Sequence, residues 1–149
     1  QERRQDYEAA SAIYDQLRQR EPGNFQVFFA FINCISRFDF NRTLVEMESF
    51  YHRFLQPPGA DANLKGQFEE QLGMLYLQVG QTAMQQNDFA GAFGPLNNAK
   101  VYLDRFRSSA MPMSASPDVR RRLIQAERLS RELGQRLDLL RAQARPPSP

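Results

Sequence analysis

At 149 residues with 42% hydrophobic side chains, the chain is the size of one soluble domain and carries enough apolar surface for a real core. A formal net charge of +2 with 24% charged residues gives no global electrostatic case for nucleic acid or an acidic membrane surface. One cysteine, Cys34, and one histidine, His52, rule out an intrachain disulfide and leave too few soft ligands for a structural zinc site.

No apolar run approaches the roughly 20 residues of a spanning helix. The chain starts at Gln1 with neither an initiator Met nor an apolar signal region, and a processed form or an excised piece is the expectation. Basic residues are Arg apart from Lys65 and Lys100, a bias treated as background.

Pro22-Gly23, Pro57-Pro58-Gly59 and the stretch from Met111 to Pro117 punctuate the chain. Between them apolar residues recur at three- and four-residue steps, so the fold expected is all-α, with no strand. The first helix runs from about Gln5 to Arg20 with Tyr7, Ala10, Ile13, Tyr14 and Leu17 on its inner face, and Pro22-Gly23-Asn24 ends it. A second, about Phe25 to Phe38, is capped by Asn24 and turns Phe28, Phe31, Ile32 and Ile35 inward. Half of the 12 phenylalanines fall between Phe25 and Phe40, so this helix is apolar on nearly every side and wants burial all round. It is either the central helix of a stack or the element that meets a second chain or a membrane surface.

Asp39 to Asn41 reads as a tight turn, and the third helix, about Arg42 to Gln56, presents Leu44, Met47, Phe50, Tyr51 and Phe54 to the second before Pro57-Pro58 stops it. Asp61 caps a long fourth helix reaching about Gln86, with Leu64, Phe68, Leu72, Leu75, Tyr76, Val79 and Ala83 along one stripe. Asn87-Asp88 closes it. The fifth helix, about Phe89 to Arg107, contains Pro95, which removes one backbone bond and crowds the carbonyl of Gly91, so a kink is expected. Residues 108–117 form a linker, 118–141 the last helix and 142–149 a disordered tail. Val119, Leu123, Ala126, Ser130, Leu133, Leu137 and Leu140 make a heptad stripe on the last helix. That stripe either caps the open end of a hairpin stack or joins a second copy in a homodimeric coiled coil.

The spacing Tyr76-x-x-Val79-Gly80-x-x-Ala83, Asn87-Asp88-Phe89, Ala92-x-x-x-Leu96-x-x-Ala99 resembles a full tetratricopeptide repeat. In such a hairpin Gly80 and Ala92 let two helices approach closely while Tyr76 and Phe89 fill the space between hairpins. Asp6-Tyr7, Ala10, Tyr14, Leu17 and Pro22-x-Asn24 are similar to the second half of a repeat, and Phe28, Phe31, Ile32, Ile35, Leu44 and Tyr51 take the apolar places of the repeat between. Ile32 and Leu44 stand where small residues are usual, which predicts a splayed middle hairpin, and the 14 residues from Gly59 to Leu72 lengthen the fourth helix. The resemblance covers Asp6 to Arg105 and implies an α-solenoid of about three antiparallel hairpins over 1–107, its first hairpin incomplete, with a C-terminal capping helix. Either another chain or upstream sequence would then cover Tyr7, Ala10 and Tyr14.

The family resemblance further implies a concave groove lined by the first helix of each hairpin, holding a protein or peptide segment. Mapped here, the groove residues are Phe29 and Asn33 on the second helix and Met74, Leu77, Gln81 and Met84 on the fourth. Phe29, Met74 and Gln78 stand where carboxylate-clamping members carry cations, so an apolar or amphipathic segment is the better fit. The other reading is that Phe29, Met74 and Leu77 pack inside the fold and fill the groove from within.

The function expected is a protein–protein interaction scaffold or adaptor. The alternative is a structural subunit built permanently into a larger complex, including one beside a membrane. No catalytic, metal or cofactor set is expected: His52 with Glu46, Glu48 and Asp61 reads as a surface histidine, and Cys34 as a buried, inert thiol. Arg120-Arg121-Arg122 with Arg128, Arg131 and Arg136 is interrupted by Glu127, Glu132 and Asp138 and has no aromatic interleaving, so it reads as a solvated face rather than a nucleic-acid site. The compartment stays open between cytoplasm and periplasm.

Overall fold

Side-chain caps set where the helices begin. Asn24 Oδ1 accepts the backbone N–H of Gln26 at 3.0 Å and of Val27 at 3.2 Å. Asp61 Oδ1 does the same for Asn63 and Leu64 at 2.9 and 3.2 Å, and Asp39 and Asp88 cap through Arg42 and Gly91. The computed structural model describes residues 2–144. Among them lie six α-helices and no strand: α1 (Glu2–Arg20), α2 (Phe25–Ile35), α3 (Phe40–Phe50), α4 (Ala62–Gln85), α5 (Phe89–Ala110) and α6 (Pro117–Ala144). A π-helical turn, Tyr51–Leu55, continues α3, and a 3-10 turn, Met111–Met113, follows α5.

Asp39 caps α3 rather than opening a turn, so the helix begins at Phe40, two residues before the expected start. Between α4 and α5, Asn87 adopts a left-handed φ of 58°. Its N–H and that of Asp88 donate to the carbonyls of Met84 and Ala83, which closes α4 and frees the chain to turn at once into α5. The expected linker over 108–117 is shorter, because α5 runs on to Ala110 and α6 starts at Pro117, a position whose missing N–H costs a helix nothing. The last helix also passes its expected end at Arg141 and continues to Ala144, so 142–144 are helical. The rest of the expected disordered tail, 145–149, lies outside the described residues.

The chain divides into two compact units, Gln1–Pro58 and Gly59–Pro149, and the boundary falls within the 1–107 span expected as one array. In the first unit α2 packs on α1 and on α3 around Phe28, Phe31, Ile35, Met47, Phe50 and Tyr51, all buried. Burial corrects the expected inner face of α1. Ile13 and Leu17 are 62% and 39% exposed, while Ser11 is buried and donates its hydroxyl to the Glu8 carbonyl. The inner line runs instead through buried Ser11 and half-buried Tyr7, Tyr14 and Arg18, where a small residue admits α2 and the Arg18 guanidinium lies 4.3 Å from the Phe31 ring. Nor is α2 buried all round, since Phe29 and Asn33 face solvent.

In the second unit α4, α5 and α6 form a three-helix body. Gly66, Gly73 and Gly80, one every seven residues, are the buried contact line of α4. A Cβ at Gly73 would lie 2.9 Å from Leu103 Cγ, and one at Gly80 would overlap the Leu96 side chain. Glycine is therefore what lets α5 come this close. Ala92, Ala99 and Phe106 continue the same seven-residue step on α5, all buried. The heptad stripe of α6 is covered by this chain's own α5, with Leu123, Ala126, Ser130, Leu133, Leu137 and Leu140 each 8% exposed or less. The stripe that a homodimeric coiled coil would use is thus taken up within the unit.

Two polar ties fix α6. Ser130 donates to Asp104 Oδ1 at 2.5 Å. Arg122 donates through Nε to both oxygens of Glu70 at 3.1 Å and through a second nitrogen to Glu70 Oε1, reaching past α5 to α4.

Candidate functional site

The six residues expected to line a groove divide between the two units. In the first, Phe29 and Asn33 sit one turn apart on the open side of α2, and Phe29 is 39% exposed. In the second, Met74 and Gln81 lie on the open side of α4, two turns apart. Leu77 does not join them. It is 8% exposed and belongs to the hydrophobic core with Leu96 and Leu133, because its position on α4 carries it to the α5 side. Met84 is half-buried and packs against that same core. Of the three residues that could fill the groove from within, Leu77 alone is buried; Phe29 and Met74 are exposed, as are Asn33 and Gln81, and Met84 is half-buried.

Around Met74 and Gln81 the sequence reading missed a longer pattern. Gln67, Gln71, Met74, Gln78, Gln81 and Gln85 step by four and three along α4, and every one is exposed. The spacing puts them on one face, opposite the glycine line, and none carries a formal charge. The charged residues of α4 lie off this stripe: Glu70 is held by Arg122, Glu69 is buried and Lys65 is half-buried. The signal was present as an amide at almost every step of a heptad. A polar residue on a helix ordinarily marks solvent, so it drew no notice.

His52 is exposed, and its Nδ1 lies 2.5 Å from Gln56 Oε1. Glu46 pairs with Arg18 at 2.9 Å, and Asp61 caps α4. Cys34 is buried. Among the described residues no group of three or more His, Cys, Asp or Glu is placed to hold a metal ion, and no helix is long and apolar enough to cross a membrane. In the arginine run, Arg120 donates to the carbonyls of Ser114 and Ala115, Arg121 lies 3.6 Å from Asp118, and Arg122 serves Glu70.

Two groups show a resolved change in acidity, both at α6 contacts. Burial pushes the Asp104 carboxyl up, but hydrogen bonds from Lys100 and Ser130 and the charges of Lys100 and Arg107 outweigh it and hold the group below its ordinary 3.8. The Glu70 hydrogen bond raises Arg122 further above its already high value. Both groups tie α6 to its neighbours, Asp104 through Ser130 and Arg122 through Glu70. No family model, curated protein or solved structure matches the chain.

Proposed function

We propose that this chain is a protein–protein interaction scaffold or adaptor of the tetratricopeptide-like helical-hairpin type, with α2–α3 and α4–α5 as its hairpins, α1 as the second half of a preceding one and α6 as the cap. The observation that carries the binding role is the uncharged, solvent-facing stripe of α4. A partner laid on a charged helix face must strip water from ions, which is costly unless each is paired again; amides and a thioether spare that cost and offer donors, acceptors and an adaptable apolar contact. The segment that fits is amphipathic, apolar opposite Met74 and hydrogen-bonding opposite Gln71, Gln78 and Gln81. Phe29 and Asn33 give α2 a smaller surface of the same character.

A photo-crosslinking residue placed at Gln78 should couple to a defined partner, while the same residue at Gln125, exposed on α6, should not. Equal capture at both positions would remove α4 as the docking face.

The second reading, a subunit fixed in a larger complex, is favoured by Ile13 and Leu17 on α1, exposed apolar residues one turn apart. Sizing the purified domain separates the two readings. A stable monomer supports the adaptor, and recovery only with a companion protein supports the fixed subunit.

A further inference from the structure

The first unit contains a cleft of about 360 Å³ between the C-terminal turn of α1 and the end of α3. That volume is near the lower bound of small-molecule sites, roughly 300 Å³, and has room for one ring-sized group but not for a helix. Its floor is aromatic: Phe28 and Phe50 stack with centroids 4.1 Å apart, and Phe54 tilts against Phe50 at 4.8 Å to form a wall.

The charges around it are unevenly matched. Arg18 lies 2.7 Å from Asp15 and 2.9 Å from Glu46, and Arg42 lies 3.6 Å from Asp15, so two cations and two carboxylates complete one another. Arg53 is on the rim, exposed, with its guanidinium 4.9 Å from the Phe54 ring, and it pairs with no carboxylate among the described residues. The π-turn places it there. Gln56 donates its N–H to the Tyr51 carbonyl at 2.8 Å, which adds one residue to the turn. Tyr51 and Leu55 stay buried while Arg53 and Phe54 line the cleft, and turns of this kind recur at functional sites.

We propose that this cleft binds an aryl carboxylate, the ring seated on Phe28, Phe50 and Phe54 and the single negative charge on Arg53. One unmatched cation beside a floor of stacked rings selects for one anion attached to one ring. The same chemistry is carried by a free aromatic acid and by a peptide ending in phenylalanine or tyrosine. The site does not rest on the α4 face, and each stands if the other fails.

The test is an amide-resolved NMR titration of the full chain with phenylacetate, phenethylamine, and a tripeptide ending in phenylalanine as free acid and as amide. Phenylacetate should shift the Ser49–Phe54 amides saturably and phenethylamine should not. Arg53→Gln should weaken phenylacetate about tenfold, the value of a charge-assisted hydrogen bond, while Arg128→Gln, an exposed arginine on α6, leaves it unchanged. Ser49→Trp, a substitution at an exposed helix position lining the cleft, should fill the space and abolish the shifts while the other resonances keep their places. Tighter binding of the peptide acid than of phenylacetate supports the site with a peptide terminus as the source; equal or weaker binding supports it with a free acid. No saturable shift with either acid, equal binding of the amine or of the peptide amide, or an undiminished Arg53→Gln response overturns the proposal.

Discussion

A hydrogen in place of a methyl group decides how near α4 and α5 can lie. At Gly80 a Cβ would run into the Leu96 side chain, which is itself fully buried and has nowhere to move. Gly80→Ala should therefore lose about 1–3 kcal/mol in urea unfolding through overpacking, even though alanine is the better helix former. Gly134 on α6 is the control. A Cβ there comes 3.4 Å from Lys100 Cε, the far end of a flexible side chain, so Gly134→Ala should gain roughly 0.5–1 kcal/mol. A neutral Gly80→Ala would show that the close approach of the two helices does not depend on glycine at this position.

Gly80 was legible because the tetratricopeptide spacing names it, but Gly66 and Gly73 were not, since an isolated glycine in a helical pattern carries no indication of which helix it will face. Leu77 was misplaced for a related reason. A leucine three residues from Met74 and four from Gln81 fits an open stripe as well as a buried one, and only the position of α5 decides.

At the scale of elements, local chemistry set the boundaries and tertiary packing set the faces. Asn24, Asp61 and Asp88 mark helix starts because a cap is made within three residues, and those starts could be read directly. The face of α1 could not. Its apolar residues point to Ile13 and Leu17, yet α2 is received by Ser11 and the stem of Arg18, a choice made by shape and by the Arg18–Phe31 contact. The π-turn after α3 has no sequence signature either.

The α5–α6 contact has a polar centre at Asp104, whose carboxyl is acidified in the folded chain by Lys100 and Ser130 against the opposing effect of burial. A carboxyl with a lowered folded pKa contributes its full stability above its unfolded value, near 4, and loses it as the pH falls through the lower folded value. Wild-type stability should therefore decline from about pH 4 downward by an increment that Asp104→Asn lacks, while at pH 7 the variant should be less stable by less than about 1 kcal/mol, because solvent screens a carboxylate whose side chain is 40% exposed. Equilibrium unfolding across that range reads both, and parallel acid limbs for the two proteins would remove Asp104 as the α5–α6 pin.

For the whole molecule, the division at Pro58 and Gly59 leaves each unit with its own buried centre, aromatic in the first and Leu/Ala-based in the second. Leu103 is 1% exposed and packs against Gly73, so Leu103→Ala should cost the second unit about 2–5 kcal/mol. Hydrogen exchange should show that loss across α4, α5 and α6, with protection in α1 to α3 unchanged. Equal loss throughout the chain would mean that the two units unfold as one.

The all-α class was readable from periodicity, and so was the heptad line of α6. The division into units was not, because the short segment Gln56 to Asp61 looks like any other helix connection. The proposed docking role of α4 is tested most directly by the affinity of the partner captured at Gln78 for a Met74→Glu, Gln78→Glu variant. Both positions are exposed and neither enters the core, so the unfolding midpoint should not move. Two charges placed on the contact should weaken binding tenfold or more. Undiminished affinity at an unchanged midpoint would contradict the assignment of the α4 glutamine face as the surface that holds a protein segment.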